Sequence, residues 1–244
     1  MKGFFIAVIF LFTLYDDGIN NSPEMAGDID GAWELLSTKG VPTKGNITFM
    51  AVDGYAFYSI YDLESKAFRG SMGGKMSKVA SGYSFFMEYD SFDSKTVGST
   101  TPLEITFKGD QMTIVSDGEG RMIFKRIDAN KGEMVGAWRI TDRMRNGEMS
   151  AMRQGSRKTI KMLSGTRFQW VAYDPEAKSF SGTGGGTYTF ENGKYTETIE
   201  YHSKNSDRVG AVLPFDYEIK GKKWDHSGLS STGSPIREIW TRQN

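Results

Sequence analysis

Ile29-Asp30-Gly31-Ala32-Trp33-Glu34-Leu35 returns as Met134-Val135-Gly136-Ala137-Trp138-Arg139-Ile140, and the repeat does not stop there. Tyr61-Asp62, Lys66-Ala67-Phe68 and the glycine run Gly70-Ser71-Met72-Gly73-Gly74 return as Tyr173-Asp174, Lys178-Ser179-Phe180 and Gly182-Thr183-Gly184-Gly185-Gly186. Glu88-Tyr89 matches Glu200-Tyr201, and Phe107-Lys108-Gly109 matches Ile219-Lys220-Gly221. The offset begins at 105 residues and settles at 112. Similar residues in the same order over such a span make two copies of one domain, residues 28–128 and 132–244, joined by Asp128-Ala129-Asn130-Lys131-Gly132.

Inside each copy the hydrophobic period is two, the signature of half-buried strands. Tyr195, Glu197, Ile199 and Tyr201 share one face, against Lys194, Thr196, Thr198, Glu200 and His202. Phe215, Tyr217 and Ile219 likewise oppose Asp216, Glu218 and Lys220. Further strands are expected at 159–163, 167–173, 186–190, 223–226 and 236–241, with tight turns at Asn192-Gly193 and Lys220-Gly221. No long stretch has a helical period. Eight or so short strands in about 105 residues suit a closed antiparallel meander, which removes sheet edges and encloses room for one ligand. The expected fold is therefore all-β, two antiparallel barrels in tandem.

Composition agrees and narrows the function classes. The chain of 244 residues has 30 basic and 30 acidic side chains, so it lacks the basic surplus of a general nucleic-acid binder. With no cysteine it has no disulfide, thiol nucleophile or Cys-type zinc site. Its 29 glycines and 13% aromatics fit strands and turns. The run GFFIAVIFLFTL at 3–14, after Lys2, is too short to span a bilayer but matches a signal-peptide core, although no small-x-small cleavage site follows. Residues 1–27 are thus expected to be a signal peptide and polar leader, the protein to be exported, and the mature chain to lack a transmembrane span. An uncleaved anchor or an N-terminal core strand are the alternatives.

The Gly-x-Trp opening of each copy, the strand meander and the closing Arg237-Glu238-Ile239-Trp240-Thr241-Arg242 resemble the lipocalin-like branch of the calycins. The second copy is similar to a lipocalin-like domain of unknown function from exported Bacteroidetes proteins, through Phe168-x-Trp170, Gly184-Gly185-Gly186-Thr187-Tyr188, Tyr195-Thr196-Glu197 and Glu238-Ile239-Trp240. The resemblance covers nearly all of the second copy and, more weakly, the first. It implies a barrel, export, and a basic residue from the last strand beneath each Gly-x-Trp tryptophan, Arg126 in copy one and Arg242 in copy two. It implies no particular ligand, and the copies lack room for the extra helix many lipocalins carry.

Each copy serves as a control for the other. At the 112-residue offset Glu197 stands where copy one has Phe85, His226 where it has Ile114, and Trp224 where it has Met112. At 116, Glu238 pairs with Met122 and Trp240 with Phe124. Burying a carboxylate costs several kcal/mol unless it is paired, so inward polar groups in one copy alone point to a site. The expected ligand-binding residues are Phe168, Trp170, Tyr188, Tyr195, Glu197, Tyr217, Trp224, His226, Glu238 and Trp240, with copy one filled and structural.

The expected occupant is a small hydrophobic or amphipathic molecule, with a cationic or hydroxylated group against Glu197 and Glu238; no cofactor or metal is expected. On this reading Glu197→Phe removes binding while preserving or raising stability. The competing class is a structural or protein-interaction module of the cell envelope, in which inward Glu and His merely sit at a wet mouth and the aromatics are plain core. Catalysis is a distant third, since only His226 with Glu197 or Glu238 offers an acid and base. The glycine run 182–186 has no Gly-Lys-Ser/Thr ending and reads as a hairpin turn or corner bulge, not a phosphate loop. Arg143, Arg145, Arg153, Arg157, Lys158 and Lys161 form a basic stretch, read as a solvated loop or as a contact for lipid head groups or an acidic partner. Oligomeric state is left open.

Overall fold

The computed structural model describes residues 29–42, 45–80, 82–116, 120–230 and 233–243. The signal peptide and leader expected at 1–27 lie outside the described residues. The first barrel runs through β1 (Gly31–Thr38), β2 (Val41–Pro42), β3 (Asn46–Val52), β4 (Tyr55–Asp62), β5 (Ala67–Val79), β6 (Gly82–Asp90), β7 (Thr100–Lys108), β8 (Gln111–Ser116) and β9 (Gly120–Asp128). The second repeats it as β10 (Gly136–Arg145), β11 (Glu148–Ala151), β12 (Lys158–Leu163), β13 (Arg167–Asp174), β14 (Ser179–Glu191), β15 (Lys194–His202), β16 (Val212–Lys220), β17 (Lys223–Leu229) and β18 (Pro235–Arg242). Each strand pairs antiparallel with its neighbour, and β1 with β9 and β10 with β18 close the two meanders. β2 and β11 are short additions at one edge, so each barrel proper has eight strands. A single 3-10 turn recurs in both, at Ser94–Thr96 and Ser206–Arg208.

The Gly-x-Trp openings explain their own composition. Trp33 and Trp138 are fully buried, their indole N–H groups donating to the Ile29 and Met134 carbonyls at 2.8 and 3.0 Å. Arg126 lies over the Trp33 ring at 3.9 Å and Arg242 over the Trp138 ring at 4.6 Å, each from its barrel's closing strand. The glycine lets that strand approach: at Gly31, with φ +132, a Cβ would stand 2.4 Å from the Asp128 carbonyl oxygen.

The glycine run is not a hairpin turn. It lies inside the 13-residue β14, where β15 carries one extra residue, Glu200, between the pairs Gly185↔Tyr201 and Gly186↔Ile199. The first barrel has the same bulge at Glu88, between Gly73↔Tyr89 and Gly74↔Met87. A Cβ on Gly74 or Gly186 would meet the opposing Phe86 or Thr198 carbonyl oxygen at 2.0 Å, so only glycine fits. The bulge also reverses the side-chain alternation. Tyr195, Glu197 and Ile199 point into the barrel as the period required, but Tyr201 turns outward and meets Tyr61 of the first barrel at 4.5 Å.

That contact belongs to a seam between the barrels. Met50, Val52, Tyr55 and Phe57 of one pack with Ile160, Met162, Val171 and Tyr173 of the other. Its contacts are reciprocal at the 112-residue offset. Tyr61 donates to Glu200 at 2.8 Å, and Tyr173 to Glu88 at 2.5 Å. Tyr61 packs on Tyr201 at 4.5 Å, and Tyr173 on Tyr89 at 5.0 Å. Phe68 stacks on its own counterpart Phe180 with an interplanar angle of 9°. This is the isologous pattern of a two-fold dimer, carried within one chain.

Candidate functional site

The interiors of the two barrels differ in kind. The first is filled by Trp33, Leu35, Phe49, Met76, Met112, Ile114 and Phe124, with Phe85, Phe107 and Met122 against them. The second encloses a cavity of about 570 Å³ lined by polar and aromatic side chains together. Five of the expected site residues line it: Trp170 from β13, Glu197 from β15, His226 from β17, and Glu238 and Trp240 from β18. Phe168, Tyr195 and Trp224 belong to the buried aromatic layer that adjoins it. Tyr188 and Tyr217 do not line the cavity. Tyr188 is held elsewhere by donating its hydroxyl to the Ser164 carbonyl at 2.6 Å, and Tyr217 packs on Phe190 at 4.1 Å.

The sequence reading missed the residue at the centre. Lys161 of β12 is 4% exposed, and its ammonium donates to Glu197 at 2.7 Å. Alternation on β12 sends Ile160 and Met162 into the seam and Lys161 and Leu163 into the barrel, so the basic stretch is not a solvated loop at this point. The ring centroids of Trp240, Trp224, Tyr195 and Phe168 stand 5.0, 5.3, 5.7 and 5.9 Å from the ammonium, a partial aromatic cage around a cation. Tyr195 gives Glu197 a second hydrogen bond at 2.9 Å. The copy comparison that singled out Glu197 against Phe85 would have found Lys161, because the same offset sets it against Phe49.

Glu238 is likewise matched. Arg143 donates to its Oε1 from Nε at 3.0 Å and from Nη2 at 2.5 Å, and the Trp240 indole donates to Oε2 at 3.2 Å. Of the remaining basic stretch, Lys158 pairs with Glu88 across the seam at 2.7 Å, while Arg145, Arg153 and Arg157 line an adjoining surface cleft of about 920 Å³.

His226 has no such partner. It is 1% exposed, and among the described residues neither ring nitrogen has a hydrogen-bond partner and nor does the Trp224 indole N–H. Its Nδ1 lies 3.9 Å from Glu238 Oε2, close enough for an ion pair were the ring charged. Burial and then the nearby Lys161 hold its pKa well below the usual histidine value, so the ring is neutral and the 3.9 Å contact is no ion pair. A neutral imidazole keeps one donor and one acceptor, and neither is used by this residue of the cavity lining.

Glu197, His226 and Glu238 do not make a metal site, since each carboxylate is committed to a cation. Among the described residues no group of three or more His, Cys, Asp or Glu side chains is placed to hold a metal ion. Among the same residues no helix is long and apolar enough to cross a membrane.

No family model matches this chain, and no curated protein matches it.

Proposed function

We propose that the second barrel is the working half of an exported, lipocalin-like binding protein, and that it holds one small amphipathic molecule in its cavity. The observation that carries this reading is His226, buried with both nitrogens unpaired beside an open volume, where the first barrel has Ile114. An unpaired buried polar group costs about 1–3 kcal/mol, which a bound hydrogen-bonding partner recovers. A cavity of this size, with aromatic and aliphatic walls and convergent polar groups, is within the range of ordinary small-molecule sites. The lipocalin-like assignment rests on the Gly-x-Trp and tail motifs and on the arginine stacked against each tryptophan. Export rests on the apolar run at 3–14.

The ion pairs change what the ligand should offer. Glu197 and Glu238 are already neutralised, so they do not call for a cationic group. Among the groups with spare capacity that line the cavity are His226, with a donor and an acceptor, and the Lys161 ammonium, which spends one of its three protons on Glu197. A hydroxyl or carbonyl at the deep end suits both.

Native mass spectrometry of the full chain, followed by tryptophan-fluorescence titration over an amphiphile library, tests the reading. Trp170 and Trp240 line the cavity and Trp224 adjoins it, so their fluorescence reports occupancy. A ligand that is retained or titrates in, and is lost in His226→Ile, is the expected result. A bare mass, a silent library and unchanged fluorescence in His226→Ile would leave the envelope-module reading in its place.

A further inference from the structure

The two copies differ in length at one place only before their offset settles. From Trp33 to Asn46 the first barrel has 13 residues, and from Trp138 to Lys158 the second has 20, the difference between offsets of 105 and 112. The residues of this longer segment form the four-residue edge strand β11, where the first barrel has the two residues of β2, and the loop at 152–157. They carry Arg145, Arg153 and Arg157, and they occur only in the barrel that has the polar cavity.

The loop is built into place. Met152 N–H donates to the Thr141 carbonyl at 2.7 Å, Arg139 to the Gly155 carbonyl at 2.8 Å, and Ser156 to Asp174 at 3.1 Å. Met152, Arg157 and Thr159 line both the barrel cavity and the surface cleft, so the two volumes meet at this loop. Charge at the junction is unbalanced. Arg143 is spent on Glu238 and Lys158 on Glu88, and the cleft's own acids are Asp174 and Glu176. Arg145, Arg153 and Arg157 have no direct salt bridge among the described residues; Asp174 is near enough to Arg157 for its carboxyl to feel that charge, but does not pair with it directly. Deep in the barrel the balance is opposite: Lys161 with Glu197 sums to zero, and a second carboxylate there would be buried without a cation of its own.

We infer that the ligand of the second barrel is an amphipathic organic anion, with its carboxylate or comparable acid at the mouth against Arg157 and a neutral hydroxyl or carbonyl reaching His226. This rests on the binding reading above and adds polarity and direction to it. The deep end takes a neutral polar group because its charges are already paired; the mouth takes the anion because its guanidinium is not.

Two matched probe pairs separate the terms: cholate against the alcohol made by reducing its carboxyl, and ω-hydroxylaurate against the corresponding diol. Binding to the full chain is followed by tryptophan fluorescence at low and high salt. The acids should bind more tightly than their uncharged partners, and added salt should erode only the acids' advantage. Arg157→Gln should weaken the acids roughly 1.5- to fivefold, the range of one exposed charge pair, and leave the alcohols unchanged. His226→Ile should weaken acid and alcohol alike. If acids and alcohols bind equally and Arg157→Gln is silent, the anionic headgroup is wrong while the barrel remains a binding site. If no probe of either pair binds, both readings fall.

Discussion

The Lys161–Glu197 pair makes a prediction opposite to the one the sequence alone suggests. Glu197→Phe installs the residue of the first barrel and, judged by period and copy comparison, should be tolerated. In the structure it strips the counter-ion from an ammonium that is 4% exposed and that has Glu197 as its hydrogen-bonded partner among the described residues. Removing one member of a buried pair costs about 3–5 kcal/mol, because the remaining charge is left in a poorly polarisable interior. The ring faces 5.0–5.9 Å from Lys161 offset part of this, so about 3 kcal/mol is expected, or a fall in Tm of roughly 6–12 °C for a chain of this size. Lys161→Phe alone should cost a similar amount, leaving Glu197 with the Tyr195 hydroxyl as its one partner. The double variant Lys161→Phe/Glu197→Phe recreates the Phe49 and Phe85 pattern of the first barrel and has a cavity to fill. It should return to within about 1 kcal/mol of the parent or exceed it, since replacing a whole buried pair by hydrophobic residues is neutral or stabilising. Urea denaturation of all four proteins gives the coupling energy directly. A Glu197→Phe variant as stable as the parent, or a double variant no better than the sum of the singles, would show that the pair is not the buried, mutually dependent unit described here.

His226 should make stability pH-dependent. Its folded pKa is depressed, so the unfolded ring takes up a proton near the ordinary value of 6.5 while the folded ring does not. The stabilisation is therefore complete above that value and is lost as pH falls through it, at up to about 1.4 kcal/mol per pH unit. Unfolding measured between pH 7 and 5.5 should show that slope largely removed in His226→Ile, with the residue from His202, whose pKa is also lowered by partial burial. Gly186→Ala should cost at least about 2 kcal/mol, because its Cβ would fall 2.0 Å from a backbone oxygen that the ladder holds fixed. Gly155→Ala, with open space around it, should change stability by less than about 0.5 kcal/mol in the same thermal scan. Val171→Asp puts an unpaired carboxylate into the seam and should lower stability by about 3 kcal/mol or more, with hydrogen exchange rising in β3–β6 of the other barrel as well as in β13.

What the sequence showed, and what it hid, follows from the range of the interactions involved. Strand order, the closed meander and the inward direction of Glu197, His226 and Glu238 all follow from a period of two and from comparing the copies, both local signals. The turn at Asn192-Gly193 was readable because both residues adopt positive φ, 52° and 71°, as a two-residue hairpin demands. Tyr201 was misplaced because the bulge at Glu200 reverses the alternation, and a bulge is set by the register of the neighbouring strand rather than by the strand itself. Tyr188 and Tyr217 face inward as expected but lie away from the open volume, a difference of depth that strand periodicity does not encode. Lys161 was concealed by its company: it ends a run of surface arginines, and composition outweighed the offset that pairs it with Phe49.

The seam accounts for how one chain keeps two such different interiors. Its contacts are made mainly by outward side chains of β3–β6 and β12–β15, with Ala32 and Ala137 of the opening strands, while the cavity is lined from β12, β13 and β15–β18, with Arg143 and Met144 of β10 and the 152–157 loop at its edge. Because alternate residues on a strand face opposite ways, the interior can change without disturbing the seam. Met162 packs in the seam next to Lys161 in the barrel, and Gln169 lies in the seam between Phe168 and Trp170. The reciprocal pairs Tyr61–Glu200 and Tyr173–Glu88 keep the two-fold pattern, while their cations differ, Arg167 beside one and Lys158 beside the other. A self-associating single barrel would have to carry the same interior in both halves, since one sequence would specify both. Joining the copies in one chain removes that constraint. The first barrel then supplies the packed face that the second needs, and only the second has to tolerate an open, polar and partly unpaired core.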